Sequence, residues 1–227
     1  MPATITKRIG QFLPRRLRRV LREIRYEYQI RRRKFVSPES EYKLIDRLVK
    51  SGDCVLDIGA NVGHYTVKLS RLVGPDGRVI ALEPSPDTFE YLTRNVGLLP
   101  VQNVTLLNVA ASDASNILRL DIPSNESGIP NYYLARLTEK TGGLRVVCIA
   151  VDALNLTQRI SLIKIDAEGH DNSVLEGLDQ LLQRYHPVLI VESVNAKTKA
   201  RLHELGYQST RLDRSPNIMF HIGLLPE

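Results

Sequence analysis

The chain has 227 residues, 43% hydrophobic and 25% charged, which suits one sizeable core and excludes a low-complexity or disordered chain. Its net charge of +6 is unevenly placed: residues 1–34 hold 12 Lys or Arg against Glu23 and Glu27, and the remainder is mildly acidic. No apolar run reaches the ~18 residues of a membrane-spanning helix, and the N-terminus lacks a secretory apolar block, so the expected location is cytoplasmic, with peripheral attachment to a membrane left open.

From Pro14 to Tyr28, Leu17, Val20, Leu21, Ile24 and Tyr28 recur at helical spacing among arginines, which predicts a basic amphipathic helix. Residues 1–36 are therefore expected to be a basic arm and residues 37–227 the main domain. Ser37 and Pro38 carry the chemistry of a new helix start. A second amphipathic helix follows through Tyr42, Ile45, Leu48 and Val49, closed at Gly52.

Beyond Gly52, short apolar runs alternate with helical segments, the pattern of a doubly wound, mostly parallel α/β sheet with helices on both faces. Core strands are expected at Cys54 to Ile58, Arg78 to Glu83, Val104 to Ala110, Ile160 to Asp166 and Val188 to Glu192. Helices should span Val62 to Val73, Pro86 to Val96, Asn172 to Arg184 and Lys197 to Leu205. Ile117 to Ile122, Tyr132 to Arg136 and Leu144 to Val151 read as an inserted hairpin region beside the pocket, and Tyr207 to Leu212 and Ile218 to Ile222 as two final strands. Cys54 and Cys148 stand alone in apolar runs and read as small buried hydrophobes.

Chemistry concentrates at the strand ends. The segment VLDIGANVGHYT, Val55 to Thr66, places Asp57 at the end of a strand, Gly59 in the turn and Gly63 at the start of a helix. A dinucleotide fingerprint would need GxGxxG, but the corresponding positions hold Gly59, Asn61 and His64, and a carboxylate at the mouth of the turn repels phosphate. Such a carboxylate instead attracts an ammonium beside a sulfonium, which favours S-adenosylmethionine over NAD. Glu83 ends the second strand, where it can accept the two hydroxyls of a ribose, and Ser112 with Asp113 follow the third, near where an adenine amine would lie. The cofactor candidates are thus Asp57, Gly59, Asn61, Gly63, Glu83, Ser112 and Asp113.

The fourth strand runs into IKIDAEGHDNSVLEGL, Ile163 to Leu178, which clusters Asp166, Glu168, His170 and Asp171 at the edge of the sheet where ligands gather. Methyl transfer to a hydroxyl needs alignment and a proton acceptor, and Asp166, Glu168 and His170 are the candidates for that work. Asp171 reads first as a helix cap, and Glu192 as a weaker candidate facing the same crevice. No metal site is expected, although Asp166 with Glu168 has the oxygens for a divalent ion.

On DIGANVGHYT (Asp57 to Thr66), LEPSP (Leu82 to Pro86), NVAASD (Asn108 to Asp113) and KIDAEGHDNSVLEG (Lys164 to Gly177), the chain resembles the FkbM family of S-adenosylmethionine-dependent methyltransferases. The resemblance spans Tyr42 to Glu192. It implies the class I fold with a seven-stranded sheet, Asp57 and Gly59 on the aminoacyl end of the cofactor, Glu83 on its ribose and Asp113 near its adenine. It further implies O-methylation of a sugar or natural product. Asp171 stands where the family commonly has Glu, which draws that carboxylate back by about 1.5 Å.

The expected acceptor is therefore a small molecule or glycan. Residues 14–34 could also meet an anionic membrane surface, with apolar side chains in the interface and arginines on the headgroups. Two rival readings are a nucleic-acid methyltransferase using the basic arm and a scaffold that binds cofactor without catalysis. The first lacks the Pro-Pro-aromatic element of base-amine methylation after Asp166 and has few aromatic side chains in the arm for stacking. The second leaves the acids at three strand ends without a purpose.

Overall fold

The computed structural model describes residues 14–123, 135–138, 142–213 and 215–223, without the side chain of Arg15. In chain order, α1 (Arg15–Arg31) and α2 (Glu41–Leu48) precede β1 (Cys54–Ile58), α3 (His64–Val73), β2 (Arg78–Leu82), α4 (Pro86–Val96) and β3 (Val104–Leu107). Next come β4 (Ala110–Ser112), β5 (Asn116–Asp121), β6 (Arg136–Thr138) and β7 (Leu144–Ala150), followed by a short 3-10 helix, Val151–Leu154. The chain ends with β8 (Ile160–Ile165), α5 (Asp171–Glu176), α6 (Asp179–Tyr185), β9 (Val188–Val191), α7 (Ala196–Glu204), β10 (Gln208–Arg211) and β11 (Ile218–His221).

Seven strands form the main sheet in the order β10-β11-β9-β8-β1-β2-β3. The five from β9 to β3 run parallel, while β11 pairs antiparallel with both β9 and β10. Alternation along β1 divides the core into two layers. Leu56 and Ile58 pack with Ile163, Ile165 and Val174, and Val55 packs on the opposite face with Ile45, Tyr65, Leu69 and Leu162. Asp57 falls on this second face and pairs in register with Lys164 of β8.

The expected strand Val104 to Ala110 is broken. Asn108 donates its side-chain amide to the carbonyls of Glu83 (2.8 Å) and Pro84 (3.2 Å), so β3 stops at Leu107 and the chain crosses to a second sheet of order β4-β7-β5-β6. The expected helix Asn172 to Arg184 is also divided. A Cβ on Gly177 would lie 1.9 Å from the Ser112 carbonyl oxygen, so helix and small sheet touch backbone to backbone there. A new helix then starts at Asp179, its Gln180 and Leu181 amides donating to the distant carboxylate of Asp152 at 2.9 and 3.0 Å.

The second helix starts at Glu41 rather than near Ser37, whose hydroxyl instead accepts the Glu39 amide in a turn at 3.3 Å. Of the expected strand Tyr132 to Arg136, residues 132–134 lie outside the described residues. Cys54 and Cys148 are buried with free thiols, which burial pushes up in pKa.

The segment after α1 enters the core. Ile30 and Phe35 are buried with Ala60, Val62, Val67 and Leu92. Phe35 stacks on the His64 ring at 4.1 Å between centroids, and Tyr26 meets Phe35 edge-on at 5.2 Å.

Candidate active site

The turn between β1 and α3 is left-handed at three positions, Gly59 (φ 76°), Asn61 (φ 51°) and Gly63 (φ 95°). Gly59 and Ala60 both donate to the Leu82 carbonyl at 3.0 Å, which ties the turn to β2. Gly59 lines both cavities at this edge, and a Cβ there would also meet the Asp166 carbonyl oxygen at 1.9 Å. Glycine is needed because the turn crosses the end of β8. At Gly63 the added carbon would meet the Leu92 side chain at 2.7 Å, so that glycine lets α4 come close.

Glu83 closes the donor side. One carboxylate oxygen accepts the Asn61 amide at 2.8 Å and the other the Ser85 amide at 2.9 Å, both donors lying in local turns. Burial pushes this carboxyl up to about 7 against the downward pull of those two amides. Each oxygen keeps a lone pair free for a further donor, such as a ribose hydroxyl. Beyond it lies an apolar slot between Leu82, Val109 to Ala111 and the small-sheet residues Leu120 and Leu137. Glu83 beside this apolar slot could hold a nucleoside, and Asp166 and Glu168, which line the same slot, could face a positively charged sulfur.

Asp57 stands behind this turn instead of at its mouth. It is fully buried, accepts the Thr66 hydroxyl at 2.5 Å and lines neither of the two cavities at this edge. Its second oxygen has no hydrogen-bond partner among the described residues. Burial raises its pKa, and Lys164 opposes that rise. Asp113 likewise lies outside the slot: it accepts the Ser112 hydroxyl at 2.9 Å, and that oxygen also lies 2.9 Å from His170 Nε2. Ser112, Asp113 and His170 therefore form one chain of contacts at the end of β4, and none of the three lines either cavity.

The second cavity, about 450 Å³, shares Gly59, Asn61, Asp166 and Glu168 with the donor slot. Glu39, His64, Tyr65, Lys164 and Glu192 complete its charged and aromatic wall. Lys164 is 3% exposed; its ammonium bonds Asp166 at 3.0 Å and lies 4.5 Å from the centre of the Tyr65 ring. Burial alone would lower its pKa, but Asp166 and Asp57 outweigh it and hold the ammonium charged. Tyr65 donates its hydroxyl to Glu39 at 2.6 Å, and burial followed by that bond raises the phenol.

Glu168 lines both cavities. Its backbone is left-handed (φ 49°), and burial with the charges of Asp166, Glu192 and Asp171 pushes its carboxyl up to about 7. Asp171 is the first residue of α5, and its carboxylate turns back to accept the Ala167 amide at 3.1 Å, bracing the loop that carries Glu168. Glu192 is also raised, by burial and then by Asp166 and Asp171.

Sequence reasoning missed Glu39, Tyr65 and Lys164. Lys164 left a signal, a lone cation inside a mostly apolar parallel strand, two residues before Asp166 and so on the same face. Glu39 left none, because only the path of the chain between α1 and α2 brings it to this edge, while Tyr65 sits in the first turn of α3, directly after the glycine turn.

A family model described as the methyltransferase FkbM domain matches residues 57–209. The chain is similar to hexuronic acid methyltransferase AglP of Haloferax volcanii, 26% identical over 188 residues that cover 78% of this chain and 73% of that protein. The crystal structure of the methyltransferase FkbM from Methylobacillus flagellatus superposes with a TM-score of 0.53 at 15% identity. That superposition covers 75% of this chain and 44% of the other, so this chain spans less than half of that protein. Aeropyrum pernix fibrillarin, solved with natively bound S-adenosyl-L-methionine, shares the fold at 13% identity and a TM-score of 0.50, covering 79% of this chain and 74% of its own. The family match runs from the first acidic strand end into β10 and takes in most of the main sheet, so the chain belongs to the FkbM family of S-adenosylmethionine-dependent methyltransferases.

Proposed function

We propose that this methyltransferase acts on a hydroxyl oxygen of an uncharged saccharide or similar polyhydroxylated metabolite, with Glu168 as the general base. The observation that carries the reading is Glu168 itself, held on a left-handed backbone among Asp166 and Glu192, with its pKa raised to about 7. A carboxylate of that basicity removes a hydroxyl proton near neutral pH better than an ordinary one does. When bound, S-adenosylmethionine supplies an electrophilic methyl group on a positively charged sulfur. Glu83 and the slot beyond it would hold its nucleoside, and Asp166 and Glu168 would face its charge.

The acceptor class follows from the same wall. Glu39, Asp166, Glu168 and Glu192 offer hydrogen-bond acceptors to hydroxyl donors, while the charge of Lys164 is matched by Asp166 and Asp57. Such a wall repels phosphate and free carboxylate, which disfavours nucleic acid as well as the acidic sugar in the name of the Haloferax relative. The test is methyl transfer from labelled cofactor to a panel of neutral sugars, uronic acids and RNA, with the product located by mass spectrometry. Label on a sugar hydroxyl supports the reading, whereas label on a nitrogen, a carboxylate or a nucleic acid overturns it.

A further inference from the structure

The apolar stripe anticipated on the first helix exists, and it is turned away from the protein. Leu17, Val20, Leu21, Ile24 and Tyr28 are each between 44% and 57% exposed. At about 100° per residue they fall in one stripe roughly a quarter to a third of the way around α1. The opposite side of the helix is fastened to the body. Arg19 bonds Glu90, Arg94 reaches Glu23 at 3.4 Å, Tyr26 meets Tyr91 edge-on at 6.0 Å, and Ile30 is buried. The helix therefore has a fixed rotation about its axis, with its apolar side outward.

Its charge is equally one-sided. Residues 14–34 carry ten Lys or Arg against Glu23 and Glu27, and both acids are spent on contacts with Arg19, Arg31 and Arg94. Arg16, Arg25, Arg33 and Lys34 have no ion pair among the described residues and are exposed. Five exposed apolar side chains bordered by free arginines are complementary to a layer that is apolar inside and negative at its surface.

We propose that α1 is a fixed docking ridge for an anionic lipid surface: Leu17, Val20, Leu21, Ile24 and Tyr28 enter the interface and the flanking arginines meet the headgroups. Helix docking is peripheral, since no helix among the described residues is long and apolar enough to cross a membrane. Nucleic acid suits this face less, because its centre is aliphatic and Tyr28 is the one aromatic side chain in the stripe. A second copy of the chain suits it less as well, because pairing two such stripes would bring their arginine borders together. The ridge leads straight into the active site: Ser37 and Glu39, a few residues beyond α1, line the second cavity. A membrane-held enzyme would thus carry its acceptor cavity close to the lipid.

The test is flotation of the full-length protein with vesicles of phosphatidylcholine alone and with 30 mol% phosphatidylserine, at ~0.05 and ~0.5 M salt. Recovery at least tenfold higher on the anionic vesicles, reduced by salt, supports the proposal. Ile24→Asp with Leu21→Asp should lower that partition at least tenfold, and Arg16→Glu with Arg25→Glu by a similar factor. Both pairs are exposed, and unchanged thermal unfolding and cofactor binding would show that the fold is intact. Equal recovery on both vesicle types, no recovery on either, or undiminished binding in both double variants would overturn it. So would a dimer in sedimentation that Leu21→Asp dissolves, or an RNA that removes the protein from the vesicles at equal charge concentration.

Discussion

The two ends of the active-site edge are built differently. On the donor side, Glu83 is held by the amides of Asn61 and Ser85, each in a turn flanking its own strand end, and Asp57 by Thr66, nine residues along the chain. On the acceptor side, Glu39, Glu168 and Glu192 come from three separate stretches of chain and meet around Lys164 and Tyr65. Carboxylates of the first kind are shaped by local turns and their positions are set before any acceptor arrives. Those of the second kind crowd one another, and burial together with that crowding raises the pKa of Glu168 and Glu192.

The sharpest way to break this contrast is Glu168→Gln. It should lower kcat by about 10²- to 10⁴-fold and weaken cofactor binding by only a few-fold, since Asp166 remains to face the sulfonium, as read by steady-state kinetics beside calorimetry. In the wild type, kcat should rise with pH to a plateau above about 7, because the proposed base Glu168 must be unprotonated, and the Gln variant should lose that limb.

Phe35→Ala asks whether the acceptor wall depends on the segment after α1. Phe35 is buried against His64, and its loss should cost about 3–5 kcal/mol in chemical denaturation and raise the acceptor KM through the displaced Glu39. Unchanged stability would detach that segment from the core.

Glu83→Gln probes the donor side. Loss of a charged hydrogen-bond acceptor should weaken cofactor binding by about 10- to 100-fold. The same variant has a signature without ligand. The folded state holds a proton on Glu83 between its ordinary 4.5 and about 7, whereas the unfolded chain releases it. Stability of the cofactor-free protein should therefore fall as pH rises through that window, and the Gln variant should flatten the decline. The smallest effect is expected for Glu192→Gln, a few-fold rise in acceptor KM with kcat and cofactor affinity nearly unchanged.

Legibility followed the same division. Alternation of apolar runs and helices was enough to place β1, β2, β8, β9 and the helix Pro86 to Val96, since strands buried on both faces read as continuous apolar segments. The left-handed turn at Gly59 to Gly63 and the acid at Glu83 were readable because each directly follows a continuous apolar strand, which marks the strand end. The sequence points His170 and Asp113 at ligands, but both contact Ser112 at the end of β4, a meeting that depends on the crossing of two sheets. The helix Asn172 to Arg184 kept its apolar period through Gly177, so its break could not be seen without the Ser112 carbonyl lying against that glycine.

By itself, the sequence determined the parallel core, the order of acidic strand ends and the amphipathic character of α1, because each rests on periodicity and short-range turn chemistry. Tertiary structure decided which of those acids face a cavity, that Lys164 sits charged between Asp57 and Asp166, and which side of α1 faces out. Those properties arise from groups far apart along the chain whose burial and charge act only at short range, so they come into being when the sheet assembles.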